Sequence, residues 1–269
     1  MTTNLIFSRL WEDYTSQNPD VKKVYDLFVA EGETVVNDHI AFRTFDDARI
    51  NVDVLSRVFL RAGYVEKGQY VFEKKHLFAK HFEHATEKNM PRVFISELKT
   101  GDFSKELQAI VKDCVDKIPT PLLHSEELIF SGNMWCRPSF EVYEKLRAET
   151  EYAAWLYVNG FTANHFTVSV NHLKKYDSIQ KVNEFIKSNG FLMNDAEGEI
   201  QGTPEELLEQ SSIRAAIKPV EFTDGTHEVT SCYYEFARRY ADANGELYSG
   251  FIAKSADKIF QSTNLYKKD

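Results

Sequence analysis

The chain has 269 residues, 43% of them hydrophobic and 27% charged, which is enough for one large domain or two small modules with a shared core. A net charge of −9 argues against a nucleic-acid partner, no apolar run approaches the roughly 18 residues of a membrane span, and Met1–Leu5 lacks the basic start and apolar core of a secretory leader. The three cysteines, Cys114, Cys136 and Cys232, are too scattered for a zinc motif or a disulfide framework, so a reducing cytoplasm is the expected address.

Residues 3–31 are predicted to form two helices. Leu5, Leu10, Tyr14, Val24, Leu27 and Phe28 have patchy helical spacing, and Asn18-Pro19 breaks the run. Asn18 is the expected cap of the second helix, with Pro19 in its first turn. This segment reads as a packing layer or lid without chemistry of its own. Residues 36–45 read as a strand, since they contain β-branched and aromatic residues and neither Gly nor Pro. Alternation puts His39, Ala41 and Arg43 on one face. The small Ala41 leaves room above the sheet, so the pair suits a metal ligand with an anion clamp beside it. Taken alone, it suits the surface of a half-exposed strand as well.

A helix over residues 46–61 follows, with Val52, Leu55, Val58 and Phe59 on one face and Gly63 closing it. Residues 64–65, 69–72 and 92–98 read as strands. His76, His81 and His84 lie between the last two. His81 and His84 have a spacing that a metal-binding helix could use, but the surrounding Lys80, Glu83, Glu87 and Lys88 mark a solvated face. Residues 102–157 read as mainly helical, interrupted by Pro119 and Pro121, with one helix running from Phe140 to Val158. Arg137, in the loop before that helix, is expected to pair with a carboxylate rather than bind substrate.

The next strand-rich part repeats the first. Asn164–Val170 is again a strand with a histidine near its start, and a helix carrying Ile179, Val182, Phe185 and Ile186 follows it. Twenty-four positions separate His39 from Gly63, and 25 separate His165 from Gly190. The matched order of elements points to an internal duplication, with modules at about 34–98 and 160–240 and helical segments at 3–31 and 102–157, all within one domain over residues 1–269. Two such sheets curling around one cavity would bring His39 and His165 to equivalent places. The last strand would add Glu235, with Tyr233 and Ala237 on its face. Two imidazoles and one carboxylate form the facial triad of non-haem Fe(II) oxygenases, and zinc accepts the same ligands.

The order of elements resembles the vicinal oxygen chelate superfamily, an α+β fold of paired βαβββ modules whose mixed, mostly antiparallel sheets surround a metal cleft. Four motifs narrow the likeness: residues 38–43 (Asp-His-Ile-Ala-Phe-Arg), 151–155 (Glu-Tyr-Ala-Ala-Trp), 164–167 (Asn-His-Phe-Thr) and 233–239 (Tyr-Tyr-Glu-Phe-Ala-Arg-Arg). Together they resemble the 2-oxoadipate dioxygenase/decarboxylase family over about residues 5–260. The resemblance implies Fe(II), with zinc or nickel as possible substitutes, held by His39, His165 and Glu235. It implies Arg43 as the substrate-binding and catalytic residue that takes a substrate carboxylate. The implied reaction turns 2-oxoadipate and O₂ into 2-hydroxyglutarate and CO₂. The chain is shorter than the best-studied members and lacks a long insertion that carries some of their substrate contacts. A metal-dependent hydrolase or isomerase, or a small-molecule binding protein without turnover, remains open on the same fold.

Overall fold

In the computed structural model, which describes residues 1–196 and 198–252, the chain opens with α1 (Thr3–Gln17) and α2 (Pro19–Ala30). The expectation of one domain over residues 1–269, and of family likeness as far as about residue 260, extends past this range: residues 197 and 253–269 lie outside the described residues. There follow β1 (Asn37–Phe45), α3 (Val52–Leu55), α4 (Arg57–Arg61), β2 (Tyr64–Phe72), β3 (Leu77–His84) and β4 (Arg92–Leu98). A helical stretch holds α5 (Lys105–Asp116), α6 (Thr120–Leu123), α7 (Phe140–Glu149) and α8 (Glu151–Asn159). The chain continues with β5 (Ala163–Ser169), α9 (Ile179–Ser188), β6 (Gln201–Thr203), β7 (Leu208–Ser212), the hairpin β8 (Ile217–Phe222) and β9 (Gly225–Thr230), and β10 (Glu235–Arg239).

Several local expectations need correction. Asn18 separates α1 from α2, but its side chain does not cap α2. Instead its Nδ2 donates to the Tyr14 carbonyl at 2.8 Å and its Oδ1 accepts from Ser231 Oγ at 2.7 Å, tying the helix pair to the segment before β10. The helix expected over residues 140–158 is divided at Thr150, whose backbone is extended and whose hydroxyl accepts from the Tyr152 N–H as the cap of α8. The residues carrying His81 and His84 form strand β3, so these side chains point to opposite faces and cannot share a metal.

The large sheet has the order β2-β3-β4-β1-β5-β10-β7-β6. Among the described residues, β1–β4 and β5–β10 pair parallel and the other neighbours pair antiparallel. Read outward from the central β1–β5 seam, the two halves mirror each other. In each half a strand is followed by helix (α3 and α4, or α9) and then by three more strands of this sheet, the last of which returns beside the first; the β8–β9 hairpin is an addition to the second half. The paired βαβββ architecture is therefore present, but its two sheets are fused into one. The connecting helices end alike: Gly63 (φ +98°) follows α4 and Gly190 (φ +86°) follows α9. A residue with a side chain is strained at that left-handed turn, and glycine is not.

Alternation along β1 and β5 assigns the two faces. Phe166 points one way, where Trp11 and Tyr14 of α1 meet its ring at 5.0 Å, and Phe28 of α2 reaches Phe236 of β10 at 6.1 Å. Contacts of this kind add about 0.5–1.5 kcal/mol each beyond the area they bury. The N-terminal helices thus form a packing layer on one face. His39, Ala41 and His165 occupy the other.

Candidate metal centre

β1, β5 and β10 are adjacent, and each presents one residue to that second face. Across the seam His39 faces Thr167 and Ala41 faces His165, while Glu235 faces Thr167 from the other side. All three candidate ligands are buried. His39 Nε2 lies 3.4 Å from His165 Nε2 and 3.3 Å from Glu235 Oε1, and His165 Nε2 lies 3.5 Å from Glu235 Oε2. One donor atom from each falls within 4.8 Å of the others. Two imidazole nitrogens and a carboxylate oxygen at this separation can hold one divalent ion.

The surroundings fit such an ion. Glu235 Oε1 accepts from Gln210 Nε2 at 2.5 Å, whereas Oε2 is buried without a hydrogen-bond partner among the described residues. Leaving a buried carboxylate oxygen unsatisfied is costly, and a cation removes the cost. Burial works against ionisation of Glu235, but the imidazoles and Gln210 outweigh it and hold the carboxyl below its usual range. Burial pushes His165 down to about 3, against the pull of Glu235, so it is a neutral imidazole at neutral pH, as a ligand must be. For His39, burial is outweighed by Asp38 and Glu235, which raise it. Asp38 Oδ1 accepts from His39 Nδ1 at 2.8 Å, and Asn164 Oδ1 stands 3.2 Å from His165 Nδ1. In both cases the other ring nitrogen, Nε2, faces the triad, and that of His39 also lies 3.1 Å from Thr167 Oγ1.

The cavity at the triad measures about 30 Å³, room for an ion or a water molecule. Phe42, Phe94, Tyr233 and Phe251 make its walls largely apolar. Phe251 stands edge-on to His39 with ring centroids 4.9 Å apart. The mirror relation of the two halves gives Phe94 a particular place. It pairs with Ala41 two positions after His39, as Glu235 pairs with Thr167 two positions after His165. One half thus supplies a histidine and a carboxylate, and the other a histidine and a phenyl ring.

Arg43 shares the face of His39 but lies under α8, with its guanidinium carbon 5.0 Å from the Tyr152 ring centre and 4.9 Å from that of Trp155. It lines a separate cavity of about 310 Å³ together with Lys74, Lys75, Arg147, Glu151 and Tyr152. Its positive charge is felt on both sides, by His165 and by Glu151. Burial raises Glu151 to about 7 against the opposing pull of Arg147 and Arg43. Elsewhere, Arg137 pairs with Glu221 at 3.1 Å on the surface. His76 meets Asp102 at 3.0 Å, and His81 is bonded to Tyr70 and Glu83. None of these belongs to the triad.

Sequence reasoning did not single out Gln210, Asp38, Phe94 or Phe251. Asp38 alone carried a local signal, because Asp38-His39 and Asn164-His165 are matching doublets in the two halves.

The model of the 2-oxoadipate dioxygenase/decarboxylase family matches residues 6–125 and 127–246. The 2-oxoadipate dioxygenase/decarboxylase of Oryza sativa subsp. japonica is 33% identical over 283 positions, covering 96% of this chain and 78% of the rice chain. A crystal structure of the Oryza sativa hydroxyglutarate synthase in complex with 2-oxoadipate superposes with a TM-score of 0.91 at 32% identity, covering 97% of this chain and 91% of that one. A Shewanella frigidimarina protein whose name assigns it, conjecturally, to the hydrolases matches with a TM-score of 0.88 at 46% identity, covering 93% of this chain and 98% of that one.

Proposed function

The chain belongs to the 2-oxoadipate dioxygenase/decarboxylase family, and from that premise we propose that it oxidatively decarboxylates a 2-oxo diacid in an Fe(II)- and O₂-dependent reaction. With 2-oxoadipate the balance is one O₂ consumed and one CO₂ released, leaving 2-hydroxyglutarate. The observation that carries this reading is the convergence of His39, His165 and Glu235, with the Glu235 Oε2 buried and without a hydrogen-bond partner among the described residues. Three protein donors leave positions for both a chelating 2-oxo acid and O₂. Zinc or nickel would fit the same donors.

When bound, the iron supplies a Lewis-acid template and the means to activate O₂. The residues do the rest. Asp38 and Asn164 fix the two imidazoles from behind. Gln210 donates to Glu235 Oε1 and leaves Oε2, beside His165, as the oxygen with bonding capacity to spare. Phe42, Phe94 and Phe251 keep bulk water from the reacting end. Ala41, small and placed between His39 and Arg43 on β1, separates the triad's cavity from the second one; an acid that bridged the two would bring its distal carboxylate to the planar guanidinium of Arg43, which can take it with two parallel hydrogen bonds. Lys74, Lys75 and Arg147 around the larger cavity draw the dianion toward that end.

The test is anaerobic loading with Fe(II), followed by simultaneous recording of O₂ uptake and CO₂ release with 2-oxoadipate and a panel of other 2-oxo acids. Equal uptake and release with six-carbon and neighbouring diacids is the expected result. Turnover of any acid with zinc or nickel and no O₂ uptake would favour a hydrolase or isomerase. Binding without turnover would leave a small-molecule carrier.

A further inference from the structure

Behind His39 stands a charge pair assembled from both halves of the sheet. Arg239 lies four residues after Glu235 on β10, on the same face, and is buried. Its Nε and Nη2 donate to the two carboxylate oxygens of Asp38, each at 2.8 Å. Arg92 adds a looser contact at 3.5 Å. Asp38 in turn accepts from His39 Nδ1. A carboxylate can only accept, so the proton is fixed on Nδ1 and the Nε2 lone pair is left facing Glu235 and His165. The third guanidinium nitrogen, Nη1, donates to the carbonyls of Tyr248 at 3.1 Å and Gly250 at 2.8 Å. Those carbonyls immediately precede Phe251, whose ring edge rests on His39. One guanidinium therefore controls what stands behind this imidazole and what stands beside it.

The other half shows why the guanidinium is needed here. Behind His165 the doublet carries a neutral Asn164, and the mirror position of Arg239 on β4 is Leu98. An amide requires no counter-charge, whereas a buried carboxylate does. Burial opposes ionisation of Asp38, yet Arg239 and the His39 contact hold its carboxyl far below the usual range. The two histidines are thus backed unequally, and the stronger backing comes from a strand 201 residues away from Asp38 in sequence.

We infer that Arg239 is a positioning residue of the metal centre, acting through Asp38 to fix the orientation and donor strength of His39 without touching metal or substrate. The inference rests on the reading of His39, His165 and Glu235 as ligands.

The test is an anaerobic titration of the full chain with Co(II), reading the dissociation constant and the visible ligand-field spectrum. The variants are Arg239→Gln, Asp38→Asn, their double combination, and Glu235→Gln as the reference for a lost ligand. Each single positioning variant is expected to weaken Co(II) by about 10- to 100-fold and shift the spectrum. The double variant is expected to be no weaker than the worse single, because both act through one link. Wild-type affinity and spectrum in Arg239→Gln would overturn the inference. So would losses that multiply in the double variant, since Arg239 would then act apart from Asp38. If Arg239→Gln does not fold, Asp38→Asn, nearly the same shape, decides: wild-type affinity and spectrum there refute it. Wild-type Co(II) binding by Glu235→Gln would show instead that the ligand set is wrong, and the inference would fall with it.

Discussion

Replacing Glu235 by Gln separates the metal from the fold. The residue is fully buried, and its Oε1 accepts from Gln210 while its Oε2 has no hydrogen-bond partner among the described residues. An amide of the same shape keeps the Gln210 contact through its carbonyl oxygen. Its NH₂ then takes the place of Oε2 and faces the His165 Nε2, which can accept. The metal-free variant should therefore keep the fold but be somewhat less stable than the metal-free parent at neutral pH, because the imidazoles and Gln210 hold the parent's carboxylate ionised. The parent should gain stability on binding: an ion at one hundred times its dissociation constant contributes about 2.7 kcal/mol. For a chain of this size each kcal/mol moves Tm by about 2–4 °C, so the shift should be about 5–11 °C. The variant should show almost none. The assay is anaerobic thermal unfolding with and without Fe(II) or Co(II), followed by CO₂ release from 2-oxoadipate. An equal metal-induced shift in parent and variant would remove Glu235 from the ligand set. CO₂ release at the parental rate without bound iron would remove the oxygenase reading altogether.

Arg43→Lys keeps the charge but loses the planar fork, so metal binding should survive while KM for 2-oxo diacids rises by about 100-fold and that for monoacids barely changes; steady-state kinetics on both classes of acid check this, and a matched loss of metal would make Arg43 structural. Phe94→Glu places a carboxylate where the mirror relation puts a fourth donor, so Co(II) should bind at least as tightly as in the parent while O₂ uptake disappears, measured by titration and an oxygen electrode. Glu151, which burial lifts to about 7 from an ordinary 4.5, contributes stability when protonated and loses it as pH rises through 7. Glu151→Gln should therefore exceed the parent by about 1–3 kcal/mol at pH 8, and the two should converge below the ordinary carboxyl range; denaturant unfolding across pH would contradict the reasoning if the difference had the opposite sign.

The parts of this molecule written in local pattern were legible. His39, Ala41 and Arg43 share a face because strands alternate, and the matched distances from His39 to Gly63 and from His165 to Gly190 disclosed the repeat. β3 was not legible, because Lys80 and Glu83 interleave with its buried residues and disguise a half-buried strand as a solvated segment. β7 was missed for a different reason. Its sequence Leu-Glu-Gln-Ser-Ser has no apolar alternation, yet it is wholly buried. Its polar groups are satisfied one by one, Gln210 by Glu235, Ser211 by Asn183 and Glu209 by Tyr240. Partners of that kind are set by cross-strand register, which a single strand's sequence does not contain. The same holds for Phe94 and Arg239, whose meaning comes from what lies opposite them. Arg43 was expected to open into the triad's own cleft. It shares the predicted face, but α8 covers it and gives it a second cavity.

The central seam also governs whether an ion can be held. His39 and His165 lie 126 residues apart, and Glu235 sits on a strand that lies between β5 and β7 in the sheet although it follows both in the chain. Without β10 in place the chain offers a lone imidazole or a pair, a weaker donor set for any divalent ion than all three residues together. Closing such long loops costs chain entropy before the contacts between the strands repay it. Under the proposed function, the full donor set therefore exists only where β1, β5 and β10 lie side by side, so binding of an ion reports closure of the whole central seam.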